Sequence, residues 1–165
     1  MKHQSIKVIL VSMLLLLTAQ MSFAGAIHGK KFKDWQGRCQ QVQNKDFCFI
    51  LQGFSADGKK ALMITTVDVG QHAKYPLVTF RVSAMLDDSK EIQFKVDKNQ
   101  PIGLKAQCTE KECSIVFPLD KRMLREFKRG NRGIIGFIAK DTGKPVYFPV
   151  SLAGFTKAFN TLKKS

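Results

Sequence analysis

Four cysteines fall into two local pairs, Cys39 with Cys48 and Cys108 with Cys113. Thiols so arranged admit two chemistries. In an oxidising compartment an even number in close pairs reads as disulfides, whereas a reduced set of four could hold zinc. Structural zinc sites favour two to four residues between paired cysteines, and the eight between Cys39 and Cys48 do not fit. Three disulfide connectivities are possible. Cys39–Cys48 with Cys108–Cys113 is favoured, because each bond then closes one hairpin. Loops this short are worth roughly 2–3 kcal/mol apiece, which makes them staples on a fold that has other sources of stability.

Other reactive residue types are sparse. The three histidines are His3, His28 and His72. His28 falls in a loose N-terminal stretch and His72 in a polar connection, and no Gly-x-Ser-x-Gly string supplies a nucleophile beside either. Asp141-Thr142-Gly143 matches the short aspartic-protease string, but that chemistry needs two such aspartates sharing a proton. Between two strand-like runs it reads as a hairpin turn. Asp87-Asp88 and Glu110 with Glu112 also fall in expected turns. Ser151 precedes a helical pattern and reads as its cap. No EF-hand loop or phosphate-cradling glycine motif is present, so no cofactor, metal or catalytic residue is expected.

Lys121, Arg122, Arg125, Lys128, Arg129 and Arg132 place six cations within twelve residues. Five of them fill one arc of a helix. Such a face can simply be solvated, or it can dock onto anions. Overall, 27 Lys+Arg face 13 Asp+Glu, a net charge of +14. The polyanions expected depend on where the chain resides.

Residues 1–24 answer that question. Lys2 and Lys7 precede an apolar run over Val8–Leu17, and Ser22-Phe23-Ala24 supplies small residues at a cleavage site. This is the pattern of a secretory signal peptide, too short for a spanning helix. Residues 25–165 then form a single domain, with no further transmembrane segment. Removing Lys2 and Lys7 with the leader lowers the net charge from +14 to +12. For an exported product the expected partners are anionic glycans, lipopolysaccharide, lipid headgroups or a host surface protein, and nucleic acid is not expected.

The elements that must position these residues are mostly strands. Alternating runs occur at 32–39, 47–54, 61–69, 77–85, 92–96, 102–108, 113–119, 134–139 and 146–150. Turn residues such as Asn44, Asp57-Gly58 and Asn99-Gln100-Pro101 separate them. Trp35 is the only tryptophan and reads as a core anchor. Pro149 cannot donate to a ladder, so the last strand should lie at a sheet edge, or Pro149 should mark a bulge or strand end. A helix over 120–129 has Asp120 as cap and Gly130 for a left-handed exit. A short C-terminal helix buries Phe155, Ala158, Phe159 and Leu162 at i, i+3, i+4 and i+7. Many short strands with frequent turns predict a mainly β, antiparallel β-sandwich.

Three pieces of this chain carry a resemblance. They are Trp35-x₃-Cys39 with Cys48, Pro101-Ile102-Gly103-Leu104-Lys105-Ala106-Gln107-Cys108 through Cys113, and Pro149-Val150-Ser151-Leu152-Ala153-Gly154-Phe155 ahead of Ala158-Phe159. In these the chain resembles the invasion-associated locus B family of exported bacterial proteins. The resemblance implies an immunoglobulin-like sandwich, a periplasmic or secreted location and a link to host-cell invasion, with no active-site residues to carry over. It departs from the family pattern at Phe80–Ile92, where a Pro/Gly-rich segment is usual, and at Glu112, where glycine is common. The function expected is a non-enzymatic interaction protein. A periplasmic structural or stress-protective factor and a hydrolase of envelope polymers are the alternatives.

Overall fold

The computed structural model describes residues 27–70 and 73–165. The expected leader and His72 lie outside them. Eleven strands form two antiparallel sheets. The larger holds β1 (Lys31–Phe32), β2 (Trp35–Val42), β3 (Lys45–Phe54), β4 (Met63–Asp68), β5 (Leu77–Ser83), β9 (Glu112–Pro118) and β8 (Ala106–Cys108), in that spatial order. The smaller runs β11 (Pro145–Ser151), β10 (Arg132–Ile138), β6 (Ile92–Val96), β7 (Ile102–Leu104). Helices α1 (Lys121–Arg129) and α2 (Phe155–Leu162) complete the sandwich.

Period-2 alternation sets what faces inward. Met63, Thr65 and Val67 of β4 are buried, as are Ile92, Phe94 and Val96 of β6. Where the sheets meet, Phe80 and Phe117 from one stack within 5.2–5.5 Å of Phe94 from the other. The aromatic chain continues to Phe127 of α1, Phe155 of α2 and finally Trp35 of β2, each link 5.2–5.7 Å between ring centroids. One contiguous core therefore ties both sheets to both helices. Helix α2 lies against β1, β2 and β3.

The caps of the helices differ from expectation. Asp120 accepts from the Met123 N–H at 2.7 Å as a cap should. Gly130, however, is extended (φ −76°) and makes no left-handed exit. A Cβ there would meet Val96 Cγ1 at 2.4 Å, so close packing against β6 is what requires glycine. Ser151 does not cap α2, which starts at Gly154 without any side-chain cap.

Two strand runs are broken. The 32–39 run divides at Lys33-Asp34, and the 102–108 run divides at Lys105, where the chain leaves the smaller sheet and joins the larger. Such corners let one strand serve two layers. The N-terminal stretch is also less loose than its polar sequence suggests. Ile27 is fully buried and sits over Gly37, where a Cβ would come within 2.4 Å of Ile27 Cγ1.

The sheet edges are short or blocked. β1, β7 and β8 have two or three residues each. β11 is the one long edge among the described residues. Pro149 has no N–H and stands opposite Ile134, so positions 145, 147, 149 and 151 turn their backbone groups outward. Pro145 and Pro149 offer no donor there, and the Ser151 N–H is taken by the Gln52 side chain at 3.0 Å. Only Tyr147 keeps an outward N–H.

Candidate anion-binding face

Helix α1 buries Met123 and Phe127 under the sheets, and the opposite arc necessarily carries the charge. Arg122, Arg125 and Arg129 fall on that arc, spaced i, i+3 and i+7. They line an open hollow of about 780 Å³, whose other wall is the β6–β7 turn with Lys98 and Asn99. Two carboxylates also line it. Glu126 pairs through Oε1 with Arg122 at 3.0 Å, the one ion pair among the described residues, while its Oε2 is buried without a hydrogen-bond partner among them. Asp97 accepts the backbone N–H groups of Asn131 and Arg132 at 2.9 and 3.0 Å. Its own φ is +49°, and its N–H donates to the Arg132 carbonyl at 2.9 Å. Asp97 thus locks the α1–β10 connection that forms the floor. Lys98, Arg125 and Arg129 are left as uncompensated cations among the described residues.

The six basic residues singled out from sequence do not form one patch. Arg122, Arg125 and Arg129 come together. Lys121 is exposed but does not line the hollow. Lys128 turns toward α2, with its ammonium 5.4 Å from the Phe159 ring centroid, a cation–π contact. Arg132 opens into a separate cleft with Asp34, Gln52 and Ser151. Lys98 and Asn99 were missed, because nothing in the local sequence of a β-turn signals which helix it will face. Only the β6–β10 register, with Val96 opposite Gly133, brings them beside α1.

The remaining chemical candidates take structural positions. Cys39 bonds Cys48 across β2–β3, and Cys108 bonds Cys113 across β8–β9. His28 Nδ1 accepts the Cys39 N–H at 3.0 Å. Asp141-Thr142-Gly143 makes the β10–β11 turn, with Gly143 at φ +65°. Asp87 caps its own turn, and the Ser89 hydroxyl and N–H hold its carboxyl below the ordinary aspartate range. Ser151 Oγ donates to Asp34 Oδ2 at 2.5 Å and accepts from the Ala153 N–H. It therefore stitches β11 to the β1–β2 turn. Among the described residues no cluster of His, Cys, Asp or Glu has the makings of a metal site, and no helix is long and apolar enough to cross a membrane.

A second open depression, of about 620 Å³, adjoins the arginine hollow on the outer face of the smaller sheet. Lys98 and Asn99 line both.

Comparison with known proteins bears on these features. The family model described as "Invasion associated locus B (IalB) protein" matches residues 35–163. Among solved structures, the chain is similar to invasion associated protein B from Bartonella henselae. The match has a TM-score of 0.69 at 20% identity, covering 82% of this chain and 94% of that one. At that identity the likeness concerns the fold. Comparison with curated proteins gives no match.

Proposed function

Since the chain belongs to the invasion associated locus B family, we propose that it is an exported, non-enzymatic interaction protein that holds anionic groups of an envelope or host surface in the Arg122–Arg125–Arg129 hollow. The family supplies the link to invasion, and the two disulfides suit an oxidising compartment outside the cytoplasm.

One observation carries the reading. Three arginines and Lys98 converge on one open hollow that holds only two carboxylates, Glu126 paired through one oxygen with Arg122 and Asp97 bound to backbone amides, so cations outnumber anions four to two. Arginine forks suit carboxylate, sulfate and phosphate alike. The net charge of +12 left after removal of Lys2 and Lys7 would also steer the protein toward any polyanion, but without selecting a place on its surface.

Binding to immobilised heparin and to phosphatidylglycerol vesicles, measured across salt concentration, tests the proposal. Affinity for at least one of them should fall steeply as salt screens the contacts. The Arg122→Glu/Arg125→Glu/Arg129→Glu variant should lose it, while Lys121→Glu should leave it nearly unchanged. Full binding by the triple variant would remove the hollow from consideration.

A further inference from the structure

We infer that the arginine hollow and the depression beside it are one site for an acidic glycan chain, with a sugar ring resting on Tyr147 and its anionic groups in the hollow. The inference deepens the function proposed above and rests on it.

Gln93, Gly136 and Tyr147 line the depression as part of one cross-strand row that Gly103 continues beneath Glu91. Gly103 of β7 lies opposite Gln93 of β6, Gln93 opposite Gly136 of β10, and Gly136 opposite Tyr147 of β11. The two glycines in this row of four let neighbouring side chains lie flat on the sheet, Tyr147 over Gly136 and Glu91 over Gly103. Tyr147 leans over the space left by Gly136, since a Cβ there would lie 2.9 Å from its Cε1. The ring is held against the sheet and yet remains 66% exposed. An aromatic ring braced on one side and open on the other is a stacking platform for the C–H face of a sugar.

The polar groups around it fit the rest of such a ligand. Gln93 in the middle of the row offers both a donor and an acceptor. Glu91 hangs over Gly103, its carboxylate 2.8 Å from where a Cβ would be, and serves as an acceptor for hydroxyls. Lys95 and Lys98 line the same depression, and Lys98 with Asn99 continues directly into the arginine hollow. Passing from Glu91 toward Arg125 the surface changes from hydroxyl-binding to strongly cationic. A bilayer would present anions in a plane and would make no use of Gln93 or of the exposed Tyr147 ring. A chain of sugars bearing carboxylate, sulfate or phosphate groups satisfies both ends.

The test uses the leader-free protein with a heparin octasaccharide and, separately, phosphatidylglycerol vesicles. Tyr147→Ala and Gln93→Ala should each weaken octasaccharide binding about tenfold, the loss of one stacked ring or one good hydrogen-bond pair. Tyr147→Phe should bind nearly as well as the parent. Arg125→Ala/Arg129→Ala should abolish binding. Circular dichroism of each variant confirms that the fold is retained. Unchanged octasaccharide binding by both Tyr147→Ala and Gln93→Ala, with loss in the arginine variant, overturns the extended site while leaving the hollow as an anion site. Vesicle binding without octasaccharide binding overturns the glycan assignment in favour of lipid. Failure of both probes to bind at low salt overturns this inference and the proposed function together.

Discussion

The side-chain amide of Gln52 grips both peptide groups of Ser151, donating to its carbonyl at 2.8 Å and accepting from its N–H at 3.0 Å. The Trp35 indole donates to the same carbonyl at 3.0 Å. Residues far apart in sequence thereby join the larger sheet to the last strand of the smaller one. Gln52→Leu fills the space but leaves the Ser151 N–H without its partner, so it should cost about 2 kcal/mol. Gln52→Glu keeps the acceptor but sets a carboxylate oxygen against the Ser151 carbonyl, and should cost at least as much. Chemical denaturation followed by the emission of Trp35 measures both.

Gly154 and Gly58 both adopt positive φ, +86° and +73°, yet they should respond differently to substitution. A Cβ at Gly154 would meet the Phe32 carbonyl oxygen at 1.9 Å, while nothing lies within 4 Å of one at Gly58. Gly58→Ala should cost about 1–2 kcal/mol, the backbone strain alone. Gly154→Ala must also push α2 away from β1, and should cost more than about 3 kcal/mol or prevent folding. Thermal melts of the two variants side by side make the comparison, and equal losses would contradict the packing argument.

Thr65 is 1% exposed, and its hydroxyl has no hydrogen-bond partner among the described residues. Its neighbours across the ladder are Gln52 and Phe80. Valine has nearly the same shape without the hydroxyl. Thr65→Val should therefore stabilise the domain, by about 1 kcal/mol, since it removes an unpaired buried group. A lower denaturation midpoint would indicate a partner for that hydroxyl.

Cys39–Cys48 spans nine positions and Cys108–Cys113 five. Removing either as a double alanine variant should cost roughly 2–3 kcal/mol. The aromatic core is independent of both bonds, so each variant should still fold with an unchanged far-ultraviolet spectrum and a lowered melting temperature. Cys39 and Cys48 are both partly accessible, whereas Cys108–Cys113 joins a partly accessible residue to one that is 1% exposed. Mild reductant should accordingly open Cys39–Cys48 first, which mass mapping after rapid alkylation resolves.

What the sequence disclosed was local. Helix α1 was legible because its apolar residues recur at helical spacing and Asp120 is a strong cap. β11 reads as an edge because Pro149 cannot donate. Other features depend on contacts between distant residues, and these left no local mark. Lys105 looks like one more residue of a strand, and only the separate demands of two sheets make it a corner. Ile27 stands in a polar stretch, and its burial follows from Gly37 across the chain. Glu110-Lys111 is poor material for the tight turn that the Cys108–Cys113 hairpin needs. Thr109 supplies the missing chemistry, its Oγ1 accepting the Lys111 and Glu112 N–H groups at 3.3 and 3.2 Å.

The candidate site was half visible for the same reason. Arg122, Arg125 and Arg129 share a helix and could be found together, but Lys98 and Tyr147 reach the same face from separate strands and turns. Helical spacing grouped Lys128 with the arc and charge added Arg132 to it, although Arg132 opens elsewhere and Lys128 is drawn to Phe159.

The prolines at 145 and 149 have a consequence for the protein in company. Crowded copies are denied the backbone route to fibres along β11, because the one long border among the described residues presents a single free donor to zip against. Any lateral assembly must be built from side chains instead. Where charged side chains such as those of the arginine hollow take part, it should come apart on a change of ionic strength and leave no templated aggregate behind.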